Sequence, residues 1–130
     1  MRELVALGLD IGVNGCSLKS EENLAVVREI PLENLQIETD GPWCEIRPSH
    51  ASARVLKEVE ERGGVVGKEM PKAVKKEKWQ AGCMVKGRNE PCAIVLVARV
   101  VAGVKGVSVE EVVRAAWRNS TSMFGLGVAG

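Results

Sequence analysis

The spacing of apolar positions changes along the chain, and each change marks an element. Arg2 to Leu7 reads as the tail of a helix that Gly8 stops. Leu9 to Val13 reads as a short buried strand, and Asn14-Gly15 turns the chain. Ser20 stands where an N-cap belongs for a helix from Glu21 to Ile30. Two acids fill its first turn, at the positive end of the helix dipole, and Leu24, Val27 and Ile30 form its apolar stripe. Pro31 ends that helix, and Leu35 to Thr39 reads as a second strand. Strand, helix and strand joined by short links predict a parallel βαβ unit.

Ala51 to Arg62 predicts a charged helix with Ala51, Val55 and Val59 on one line, closed by Gly63-Gly64. Val65 to Lys86 is the least regular stretch and reads as a loop. Pro91 suits the first turn of a helix reaching Ala102, with Asn89 near its cap. Its apolar residues, among them Ile94, Val97, Val100 and Val101, lie nearly all round, so it should be buried on more than one face. Ser108-x-x-Glu111 is a capping box opening a helix from Val109 to Arg118. Asn119 or Ser120 would then cap a last turn reaching Phe124. No repeat and no second domain is visible, so residues 1–130 read as one domain.

Composition narrows the choices. With one Phe, three Trp and no Tyr, the core must be built from Val, Leu, Ile and Ala. A net charge of +1 gives no global pull toward nucleic acid or membrane, so charge-driven binding has to come from a local patch. Lys72, Lys75, Lys76 and Lys78, followed by Trp79, form one such run. It is either a phosphate-contacting patch with a stacking ring or a solvated loop with Trp79 pinned to the core. Cys16, Cys44, Cys83 and Cys92 form no Cys-x-x-Cys pair, and His50 is the only histidine. They read as reduced thiols of an intracellular protein, not as a zinc site. The N-terminus lacks a signal peptide's apolar core, and the longest apolar run, Cys92 to Ala98, is too short to span a bilayer. The expectation is a soluble intracellular chain, nuclear or cytoplasmic, with no membrane partner.

The strand at Leu35 ends in Glu38-Thr39-Asp40-Gly41-Pro42. Alternation sets Gln36, Glu38 and Asp40 on one face and leaves Asp40 at the carboxyl end of a parallel strand, the edge where α/β folds collect ligands. The competing reading is that Asp40 only opens an Asp-Gly-Pro turn.

Several segments together resemble the TatD-type metal-dependent deoxyribonucleases of the eukaryotic branch. They are Ile11 to Lys19, Glu21 to Leu24, Ile30-Pro31, Ile37 to Cys44, Lys76 to Trp79, Arg88 to Cys92 and Asn119 to Phe124. The resemblance implies a TIM-type (β/α)8 barrel related to the amidohydrolases, with divalent metal at the carboxyl ends of the strands and DNA as substrate. The implied ion is Mg2+ first, with Mn2+ or Zn2+ as alternatives. Asp40 matches a metal-ligating, catalytic aspartate. Glu38, one pleat deeper, would help orient it, and Trp43, His50 and Arg88 are candidates for substrate contact. Gly41 departs from the usual alanine.

The family's His-x-His, its middle-strand Glu and its other metal-binding His have no counterpart here. About two strands are legible, matching the seventh and eighth of the barrel. The metal site is therefore expected to be incomplete, and the open sheet edges, together with an all-round apolar helix from Pro91 to Ala102 that would lack partners, to favour self-association. A truncated gene model, a cut domain and a remnant remain open as origins. Two functions follow: a deoxyribonuclease segment inactive alone, or a non-catalytic module binding a partner or nucleic acid through Lys72 to Trp79.

Overall fold

A computed structural model describes residues 1–62 and 70–127. Helix α1 (Arg2–Ala6) leads into β1 (Ile11–Val13), α2 (Glu21–Glu29) and β2 (Leu35–Ile37). Then come α3 (Ala51–Glu61), β3 (Ala73–Val74), β4 (Met84–Val85), α4 (Ile94–Lys105) and α5 (Val109–Met123). The expected βαβ unit is present. β1 and β2 pair in parallel with Ile11 opposite Leu35 and Val13 opposite Ile37. The Glu38 amide donates to the Val13 carbonyl at 3.0 Å and carries the ladder one residue further. Ser20 caps α2 by accepting from the Asn23 amide, and Ser108 and Glu111 form the full capping box at α5. The Gly63-Gly64 stop expected after α3 lies outside the described residues.

α4 is the centre of the molecule. Val97, Ala98, Val100, Val101, Ala102 and Val104 are buried on it, and α2, α3, α5 and β2 pack around it. This corrects the expectation that so apolar a helix would lack partners within the chain. At Gly103 a β-carbon would lie 2.6 Å from Val55 Cγ1 and 3.0 Å from Val59 Cγ2. Only a glycine lets α3 and α4 approach this closely. No single helix among the described residues is long and apolar enough to cross a membrane.

Three other expectations change. The segment read as a loop carries two further strands: β3 and β4 form a second parallel pair, Ala73 opposite Met84 and Val74 opposite Val85. At two residues each, they fall below the length at which periodicity can be read. Helix α5 does not break for a cap at Asn119 or Ser120 but runs on to Met123. Asn119 is buried, and its amide nitrogen donates to the Leu32 and Leu35 carbonyls, both at 2.8 Å. Ser120 bonds Gln36. Asn89, expected near the cap of α4, sends its amide nitrogen to the Thr39 carbonyl at 2.8 Å instead, and Pro91–Ala93 enters α4 as a 3-10 turn.

Candidate functional site

Two loops leave the carboxyl ends of β1 and β2 side by side. After β1 the chain turns directly into a 3-10 helix, Gly15–Leu18, capped by Asn14. Asn14 Oδ1 accepts from the Cys16 amide at 2.8 Å and the Ser17 amide at 3.1 Å. That use of the oxygen fixes which way the amide points and turns Nδ2 toward β2. There Nδ2 donates to Asp40 Oδ2 at 2.7 Å and to Glu38 Oε1 at 3.4 Å. The two acids thus share one donor. Glu38 lies over Gly12, where a β-carbon would stand 3.0 Å from its Oε1. Asp40 has φ 52°, the left-handed region that aspartate tolerates better than most residues. Among the described residues Asp40 Oδ1 accepts no hydrogen bond.

The turn beyond Asp40 is held from two directions. The Trp43 amide donates to the Asp40 carbonyl at 2.8 Å, and the Asn89 amide donates to the Pro42 carbonyl at 3.0 Å. Gly41 faces the Asn89 carbonyl so closely that a β-carbon would stand 3.1 Å from it. Below the turn, a β-carbon on Gly15 would fall 1.9 Å from the Cys44 carbonyl oxygen, so the two loops touch backbone to backbone. The neighbouring Cys16 side chain pushes the Cys44 thiol up, with burial acting in the same direction. All four cysteines are free thiols.

The candidate substrate contacts fall in different places. Arg88 lines a cleft with Thr39, Pro42, Lys76, Trp79 and Glu90. Trp43 is 74% exposed on the turn itself. His50 sits at the N-terminus of α3, where its Nδ1 accepts from the Arg47 amide at 3.2 Å. Burial pushes its pKa down from 6.5, the charges of Lys19 and Arg47 push the same way, and Glu45 opposes them. Its ring is therefore neutral at neutral pH. Trp79 is not pinned to the core as the plainer reading of that loop had it. It is 55% exposed, and its Nε1 donates to the Cys83 carbonyl of its own loop at 2.8 Å.

Asn14 escaped sequence reasoning, where it read only as the first half of a turn. The available signal was its position at the carboxyl end of a parallel strand, the same criterion that picked out Asp40.

The model of the family described as TatD related DNase matches residues 1–125. A deoxyribonuclease Tat-D of Schizosaccharomyces pombe is 49% identical over 124 residues, covering 95% of this chain and 36% of that protein. The deoxyribonuclease Tat-D of Saccharomyces cerevisiae is 48% identical over 123 residues, covering 88% of this chain and 29% of that protein. Among solved structures, an uncharacterized amidohydrolase from Saccharomyces cerevisiae superposes with a TM-score of 0.85 at 44% identity, over 95% of this chain and 36% of that one. A TatD family hydrolase from Entamoeba histolytica gives 0.81 at 38% identity, over 94% of this chain and 37% of that one. The chain thus spans about a third of the length of the relatives it matches. The family model spans nearly the whole chain and the identity to these proteins is close to one half: the chain belongs to the TatD-related DNase family, in the eukaryotic branch.

Proposed function

We propose that this chain is the C-terminal part of a metal-dependent deoxyribonuclease, a single partial domain contributing two strands and the closing helices of a TIM-type barrel. The observation that carries the reading is Asp40. It stands at the carboxyl end of a parallel strand, held out of regular strand geometry at φ 52° and fixed by Asn14, with its other carboxylate oxygen accepting no hydrogen bond among the described residues. That is how a ligand for a hard divalent cation is presented. Magnesium suits such an oxygen donor best, with manganese or zinc as the alternatives. Glu38 shares the Asn14 amide with Asp40 and helps orient it. Trp43 and Arg88 flank the approach to this edge, and His50 lies further along the same connection.

The donor set of this chain does not amount to a metal site. Among the described residues no three His, Cys, Asp or Glu side chains gather where they could hold an ion. One carboxylate does not hold an ion against water, so no hydrolytic step is assigned to these residues alone. The 130-residue chain should cleave no DNA with magnesium or manganese. Joined to the N-terminal part of a full-length relative, it should cleave. Asp40→Asn in that fusion should then lower turnover by at least about 100-fold, the upper end of what removing even a ligand's outer partner costs. Its melting temperature and DNA affinity should stay near the parent's, because phosphate contacts supply most of the affinity. An Asn variant that cuts at the parent rate but melts far lower would make Asp40 a turn residue. A fusion that binds DNA without cutting it would favour the non-catalytic binding module.

A further inference from the structure

The basic segment folds back against the turn that carries Asp40. The Met84 amide donates to the Lys72 carbonyl at 3.0 Å and the Lys86 amide to the Val74 carbonyl at 2.8 Å, which closes the loop around the 3-10 turn Lys76–Lys78 and Trp79. The cleft between loop and turn has Thr39 and Pro42 on one side and Lys76, Trp79, Arg88 and Glu90 on the other. Two cations face one carboxylate. Among the described residues neither Lys76 nor Arg88 is in an ion pair.

Trp79 is more than half exposed, although an indole gains more by burial than almost any other side chain. Its one polar group is already used, since Nε1 donates to the Cys83 carbonyl. That bond fixes the ring's orientation, and what remains exposed is apolar π surface. A fixed aromatic face between two free cations matches a nucleotide whose base is unpaired: the base stacks on the ring and the flanking phosphates meet the cations. A base inside a duplex is already stacked on its neighbours and offers no such face.

We propose that Trp79 is a stacking platform for an unpaired base of single-stranded DNA, with Lys76 and Arg88 taking the adjacent phosphates. The strand is thereby led to the Thr39–Pro42 turn. This rests on the reading of DNA as substrate and adds which state of the strand enters. The test is fluorescence anisotropy of a short labelled oligothymidylate with the whole chain, in EDTA so that nothing is cut. W79A should weaken binding by about five- to a hundredfold, the worth of one base–aromatic stack. W79F keeps a ring, loses only the bond to Cys83, and should keep most of the affinity. An abasic oligonucleotide should bind the parent chain as weakly as oligothymidylate binds W79A, and a hairpin duplex should bind both alike. Equal binding of oligothymidylate by parent and W79A overturns the proposal. So does a W79F loss as large as that of W79A, which would make the ring a prop for its loop, and so does tighter binding of the matching RNA oligonucleotide. If the completed enzyme fails to cut DNA, the nuclease reading falls while this binding result stands by itself.

Discussion

Asn14 acts through both ends of one amide. Its oxygen caps the 3-10 helix that follows β1, and its nitrogen holds two carboxylates on the neighbouring strand. Like charges brought close would repel, and a shared donor offsets that repulsion while fixing both side chains. His50 shows the opposite economy. Burial of the ring, with the charges of Lys19 and Arg47 acting the same way, disfavours its protonation in the fold. A folded pKa below 6.5 means that the unfolded chain takes up a proton first as the solution is acidified. His50's contribution is therefore whole above pH 6.5 and is lost as pH falls through the lower folded value. His50→Asn keeps a good N-cap residue and does not titrate. Melting temperatures of the two proteins should converge, or cross, as pH drops below 6.5; a constant gap would show that this ring carries no pH dependence. Asp40 was legible because strand alternation and edge position are local in sequence. Asn14 stands at the same kind of edge, but its Asn-Gly turn signal masked that position, and its partners, 24 and 26 residues away, gave no local sign of its role.

Among the elements, α2 and α4 cap one another. Arg28, in the last turn of α2, donates through Nε to the Val104 carbonyl at 3.0 Å. Lys105, at the end of α4, donates to the Val27, Arg28 and Ile30 carbonyls. Each cation meets the negative end of the other helix, where carbonyls have no partner within their own helix. Asn119 performs the same service between α5 and the entry to β2. Replacing it with Leu keeps the volume but leaves the Leu32 and Leu35 carbonyls without its amide. We expect Asn119→Leu to lower unfolding free energy by about 1–3 kcal/mol, the cost of a stranded buried polar group, in a urea titration. A change near zero would mean that water replaces the amide. The sequence pattern located α2, α4 and α5 because caps and apolar stripes repeat within a few residues. It misread the end of α5 because asparagine is a common cap, and only the packed partner reveals that this one points inward.

At the scale of the molecule, the described helices pack closely around α4 while the strand edges stay open. α4 has its partners, so the over-apolar helix no longer argues for association. The strands still do. β1 and β2 pair only with each other, and each leaves an edge of unpaired backbone groups among the described residues. A two-stranded sheet is marginal on its own. Exposed apolar side chains add to the drive: Leu7 and Leu9 flank Gly8, which lines one hollow with Met123, and all three of these side chains are well exposed. In the barrel proposed above, further strands would pair with these edges. Without them, a second copy is the nearest source of a strand. We expect the isolated chain to sediment with a weight-average mass that rises with concentration, and that rise to weaken when Ile11 is replaced by Pro. Proline cannot donate to a ladder, and β1 carries one of the two open edges where an added strand can pair. Because Pro at position 11 also threatens β1 itself, Leu7→Lys and Leu9→Lys together provide the second measurement: they add charge beside the edge and leave the β1–β2 ladder intact. A compact monomer at every concentration, with a sharp cooperative melt, would show that five helices are enough to shield two strands.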